Sequence, residues 1–278
     1  MSITRTTVTD DIGDDVSGTP ITNAWLQTVW DTLDARWSRA SITSTGSQNN
    51  VSVSEADLVI LNNASDLTIT GIVAPASPAK PGKRLVLIST GAGNVFLAHQ
   101  SGSSTAANRL INFATTGNTP LAAGVGCAIY VYDDNASRWR LVQHEQGAWI
   151  TPTFAAGNYT ASAAGAWTLA SGDVTTQAYY VQGRRVHIMF YLITTSVTQS
   201  GGDPTSLVMS NALWGSFTTA RTALTPVVYN DNGAGNTVGY IQSSAGGTSA
   251  IIQKLNAAQW ATAANTTNVF GQAVLEVT

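Results

Sequence analysis

Between Thr19 and Trp37 apolar residues recur at steps of three and four. Trp25, Leu26, Val29, Trp30, Leu33 and Trp37 form the stripe of one amphipathic helix. Thr19-Pro20 supplies its start, a capping hydroxyl followed by proline at the first helical position. Ahead of it, residues 1 to about 18 are polar and acidic and read as an extended arm. The Ser/Thr/Gly/Asn stretch Ser38 to Asn50 follows it, leaving little adjacent chain for three Trp rings to pack on. The stripe either packs on its own domain or serves oligomerisation or docking, with a partner or copies of the same helix supplying the missing surface.

From Val51 onward the helical period gives way to short β runs separated by turn residues. Asp57 to Leu61, Leu67 to Ile72, Arg84 to Ser89 and Asn94 to His99 come first. Ala128 to Tyr132 and Arg138 to Val142 flank the loop Asp133-Asp134-Asn135-Ala136-Ser137 and predict a hairpin. The periodicity lapses around Gln143 to Gly157. A second series then runs through Ala178 to Val181, Arg184 to Thr194, Leu207 to Met209, Ala223 to Tyr229, Thr237 to Gln242, Ser249 to Lys254 and Val269 to Val277. The pattern predicts a mainly β chain: residues 1–40 as arm and amphipathic helix, then two β-sandwich or jelly-roll-like domains at 41–145 and 146–278.

Composition sharpens this picture. Only 10% of the 278 residues are charged, against about 25% in ordinary domains, while 44% are hydrophobic. Thr, Ser, Asn, Gly and Ala replace the missing charge, so the sheets are expected to carry neutral, hydrogen-bonding surfaces. A net charge of −3 without a basic cluster argues against nucleic acid as a partner. Met1 to Thr9 has no apolar secretory region, and Val186 to Ile193, the longest strongly apolar run, is far shorter than the roughly 20 residues of a spanning helix. Membrane insertion is not expected. Cys127 stands alone and reads as a small buried strand residue.

Catalytic chemistry finds little material. Polysaccharide hydrolysis needs two carboxylates about 5 to 9.5 Å apart, yet the glutamates are only Glu55, Glu145 and Glu276, and most aspartates sit in turns. His99, His144 and His187 are far apart and outside metal-ligand spacings. Neither Gly91-Ala92-Gly93 nor Gly233-Ala234-Gly235 continues into a phosphate-binding loop. No catalytic residue, metal site or cofactor is expected. Aromatic stacking and neutral hydrogen bonding remain, and Tyr229, Asn230, Asp231, Asn232, Tyr240 and Trp260 are the candidate glycan-binding residues, on predicted loops of the last domain.

Three stretches resemble fibre and receptor-binding proteins of tailed bacteriophages. The first is Ile3-Thr4-Arg5-Thr6 through Asn23-Ala24-Trp25-Leu26 to Asp34-Ala35-Arg36-Trp37. The second is Gly82-Lys83-Arg84-Leu85-Val86 with Gly93-Asn94-Val95-Phe96-Leu97 and Arg138-Trp139-Arg140-Leu141-Val142. The third is Trp149-Ile150-Thr151-Pro152 with Tyr180-Val181-Gln182-Gly183-Arg184-Arg185-Val186. The resemblance implies a homotrimer on the virion, made in the bacterial cytoplasm. Residues 1–40 would join other virion proteins of tail or capsid, and the C-terminal domain would meet host surface glycan. A purely structural or decoration fibre and a polysaccharide depolymerase are the alternatives.

Overall fold

The computed structural model describes residues 38–53, 56–76, 82–162, 165–199 and 204–278. The arm and the helix carrying Trp25, Leu26, Val29, Trp30, Leu33 and Trp37 lie outside the described residues.

The first unit is built from β1 (Arg39–Ile42), β2 (Gly46–Gln48), β3 (Leu58–Leu61), β4 (Leu67–Ile69), β5 (Arg84–Ser89), β6 (Val95–Ala98), β7 (Leu110–Ile111), β8 (Asn118–Leu121), β9 (Cys127–Asp133) and β10 (Arg138–Glu145). Successive strands alternate between two sheets. β1, β3 and β5 run parallel in a six-stranded sheet, and β2, β4 and β6 run parallel in a four-stranded one. The chain therefore winds as three stacked coils, each giving one strand to each sheet. Antiparallel β9 and β8 then close the two sheets against β5 and β6. Two facing sheets are present, as a sandwich requires, but the winding is parallel and not that of a jelly roll. Alternation at a period of two is the same for either direction, so the chain pattern does not distinguish them.

Leu67, Val95 and Leu121 face inward on one sheet, and Val59, Leu87 and Ala128 on the other. The coils stack closely at their corners. Buried Asn63 donates its amide to Ser65 O at 2.8 Å and Gly93 O at 3.0 Å. A Cβ on Gly93 would lie 2.1 Å from the Ser65 carbonyl carbon, and one on Gly91 would lie 2.3 Å from Asn63 N. The Gly91-Ala92-Gly93 run thus serves backbone approach between coils. The hairpin of β9 and β10 forms around the expected loop, with Asp133 accepting from Ala136 N at 3.1 Å and pairing Arg140 at 2.9 Å.

The second unit holds β11 (Tyr159–Ala161), β12 (Gly165–Thr168), β13 (Val174–Gln182), β14 (Arg185–Gln199), β15 (Ser206–Ser210), β16 (Ala223–Asn230), β17 (Asn236–Ser243), β18 (Ser249–Lys254) and β19 (Ala263–Glu276). These make one nine-stranded sheet in the order β11-β15-β18-β17-β16-β19-β14-β12, with β13 also on β14. End strands β11 and β12 are neighbours, so the sheet nearly closes on itself. Trp214, Trp260, Phe190 and Phe217 fill its interior.

A continuous seam joins the units. Ala114 and Ala122 of the first unit belong to the core of the second. Thr115 N and Thr116 N donate to Thr278 O at 2.7 and 3.0 Å, and Thr218 N donates to Thr116 Oγ1 at 2.9 Å. Gln146 is fully buried: its Nε2 donates to Ala148 O and Tyr179 O, and its Oε1 accepts from Val181 N. No helix among the described residues is long and apolar enough to cross a membrane.

Candidate functional site

The six residues expected to hold glycan have divergent placements. Tyr229 and Trp260 pack edge to face with centroids 5.0 Å apart, and their exposures are 7% and 0%. A stacking platform needs an open ring face, and neither residue offers one. The reason lies in the sheet: Tyr229 points to the interior of β16, where Lys254 of β18 holds its ammonium 5.3 Å from the Trp260 ring and 5.9 Å from the Tyr229 ring. Asp231 forms an ion pair with Lys254 and accepts from Ala261 N at 3.2 Å. Its carboxylate is thus spent on holding this cluster together. Burial, and then the Asp231 carboxylate, push the Tyr229 hydroxyl up from its ordinary range.

Asn230 is half-buried, with a side-chain oxygen lacking a partner. Asn232 lies in the exposed turn, at φ 52°, and accepts from Thr266 Oγ1 at 2.9 Å. Tyr240 lies on the outer face, donating to Gln253 Oε1 at 2.8 Å. Tyr229 and Trp260 are thus core residues whose rings are covered, while Asn230, Asp231 and Asn232 follow at the end of β16 and Tyr240 stands apart on the outer face of β17.

His99 Nδ1 accepts from Asn112 N at 3.0 Å, and His144 Nε2 lies 2.7 Å from Pro120 O. Burial lowers both imidazoles from their ordinary range. Tyr180 donates to Glu145, and burial followed by that carboxylate pushes its hydroxyl up to about 12. Among the described residues no three His, Cys, Asp or Glu side chains converge in a metal-binding group.

A groove of about 300 Å³ does open at the seam between the units. One wall is the outer face of the four-stranded sheet, with Thr68 beside Phe96 across β4 and β6. Asn118 of β8 and the corner residues Asp66 and Asn94 continue it, with Asn94 N donating to Asp66 Oδ1 at 2.9 Å. The other wall comes from the second unit: Ile150 to Thr153, Tyr179 and the turn through Gly215 and Ser216. Tyr179 is held there twice by backbone, exchanging hydrogen bonds with Ile150 at 2.9 and 3.0 Å. Burial first, and the Asp66 carboxylate second, push its hydroxyl well above the ordinary tyrosine range.

No family model matches this chain, and no curated protein matches it. The groove's chemistry accordingly has to be taken from its own residues.

Sequence reasoning passed over those residues. Asp66 and Asn94 look like ordinary turn formers, and Thr68 and Phe96 like the outward positions of alternating strands. Nothing local signals that a second unit, some 50 residues or more along the chain, covers that face. The one hint was Trp149-Ile150-Thr151-Pro152, which opens the second unit and supplies part of the far wall.

Proposed function

We propose that this chain is a non-catalytic fibre-type protein of a bacteriophage virion. It associates with copies of itself as a homotrimer, joins the particle through residues 1–40, and attaches to host surface glycan with its C-terminal unit contributing the contact.

The observation that carries this reading is the outer face of the nine-stranded sheet. Tyr191 pairs with Phe270 across β14 and β19, with ring centroids 5.4 Å apart. Phe270 pairs in turn with Val228, and Val228 with Val238, making one row across four strands. Tyr191 is 43% exposed, Val238 47% and Val274, on the same face of β19, 46%. The outward positions between them are His187, Met189, Gln272, Pro226 and Tyr240, and the first charges, Arg185 and Glu276, stand at the end of the face. Ordinary solvent-facing sheets intersperse charge, and contiguous apolar surface marks contact with another chain. Aromatic residues and methionine at the centre with charge at the margin match the anatomy of a protein interface.

Light scattering on the full chain at micromolar concentration tests the reading. The expected mass is three times the 29.0 kDa of one chain, and Phe270→Glu is expected to lower it to that of one chain. A single-chain mass for the unmodified protein overturns the proposal.

A further inference from the structure

We infer that the seam groove is a binding subsite for neutral oligosaccharide, and the inference deepens the glycan-attachment reading on which it rests. Four observations lead there.

First, the groove carries a ring with an open side. Phe96 projects from β6 away from the core, between inward-facing Val95 and Leu97, and is half-buried rather than sealed like Trp260. The apolar face of a sugar ring can pack on it.

Second, hydrogen-bonding groups converge on the groove without protein partners among the described residues. Tyr179 is only 3% exposed, yet its hydroxyl has no such partner, and the residue lines the groove. An unpaired hydroxyl on a residue that lines the groove is available to bond a ligand hydroxyl or water. The hydroxyls of Thr68 and Ser216 and the side-chain amide of Asn118 are likewise uncommitted. Because burial and Asp66 both raise the Tyr179 hydroxyl, it stays protonated and can donate.

Third, the charge pattern selects the ligand class. Asp66 is the one ionisable carboxylate of the lining, and no Lys, Arg or His accompanies it. Its Oδ1 is held by Asn94 N, leaving Oδ2 to accept a hydroxyl proton. A lone carboxylate without a cation repels sialylated or uronic sugars and accepts neutral ones. It also lacks the second carboxylate that hydrolysis of a glycosidic bond requires, so the groove holds a saccharide without cutting it.

Fourth, the walls are preformed. Strands fix one side, and the Tyr179–Ile150 pair and the Gln146 bonds fix the other, so little conformational freedom is lost on binding. The volume lies at the lower end of small-ligand sites, about 300 to 1,000 Å³, which suits a short oligosaccharide segment.

The test presents the full chain to immobilised neutral oligosaccharides, built of hexoses and N-acetylhexosamines, and to sialylated and uronic-acid oligosaccharides. The best-bound sugar is then titrated calorimetrically into the unmodified protein, Phe96→Ala, Asp66→Asn and, outside the groove, Leu255→Ser. Neutral sugars are expected to bind. Phe96→Ala should weaken them by about tenfold or more, the loss of one stacking contact. Asp66→Asn should admit acidic sugars, and Leu255→Ser should change nothing. If Phe96→Ala alters the thermal unfolding of the protein, Thr68→Trp, which fills the groove from a partly exposed strand position, replaces it and should abolish binding. Neutral-sugar binding that survives these variants, or a preference for acidic sugars, overturns the groove assignment and leaves glycan attachment standing elsewhere. Failure of the unmodified chain to bind any saccharide overturns both.

Discussion

Gln146 Oε1 accepts the Val181 backbone N–H at 2.7 Å, so one side chain from the link between the units completes the hydrogen bonding of β13. Its amide nitrogen donates to Ala148 O at 2.8 Å and to Tyr179 O at 3.1 Å. A carboxamide fits here because it presents an acceptor to an N–H and a donor to two carbonyls at once.

Gln146→Ala is expected to destabilise the protein by about 2 to 3 kcal/mol, through buried backbone groups left without partners. Gln146→Glu is expected to cost at least as much, since a carboxylate cannot donate to the two carbonyls. Urea unfolding monitored by tryptophan fluorescence measures both. A change below about 0.5 kcal/mol, the size typical of a neutral surface site, would contradict the role.

The Asp231–Lys254 pair gives a second prediction, because both side chains are almost out of solvent at 12% and 10% exposure. Removing one partner leaves a buried charge, so Asp231→Ala is expected to cost about 3 to 5 kcal/mol. Asp231→Ala combined with Lys254→Met should cost less than the single change, and a double-mutant cycle reads the difference. Unchanged stability in Asp231→Ala with loss of glycan adsorption would return Asp231 to the binding surface.

His144 predicts a pH dependence. Its Nε2 faces the Pro120 carbonyl at 2.7 Å and so carries the proton, while its Nδ1 is buried without a partner. Protonating Nδ1 would bury an unpaired donor, and burial holds the folded pKa below the ordinary 6.5. The unfolded chain therefore binds this proton more readily than the folded one. Its stabilising contribution is complete above pH 6.5 and is lost as the pH falls below that value towards the lowered folded pKa. His99, lowered by burial in the same direction, adds to the slope. Thermal melts between about pH 7.5 and about pH 5.5 should show Tm falling with acid, and His144→Gln should flatten that fall. An unaltered slope in the variant would rule His144 out as its source.

The sequence by itself determined the β character of the described chain and the positions of many strands. Arg84 to Ser89 is β5 residue for residue, and Asp133 to Ser137 turns the chain where its Asp and Asn side chains can bond nearby backbone. Alternation and turn chemistry are local, so they can be read locally. Strand direction and the identity of each strand's neighbour are not local. Val59 faces inward whether its partner runs parallel or antiparallel, and only the stacking of coils, with Gly91 and Gly93 against Asn63 and Ser65, establishes which. The same limit explains Tyr229 and Trp260: their composition suits a sugar platform, but the neighbouring strands place their rings in the core. It explains the groove as well. Phe96 and Tyr179 are 83 positions apart in the numbering, and their juxtaposition exists only after the second unit has closed its sheet and latched to the first through Gln146.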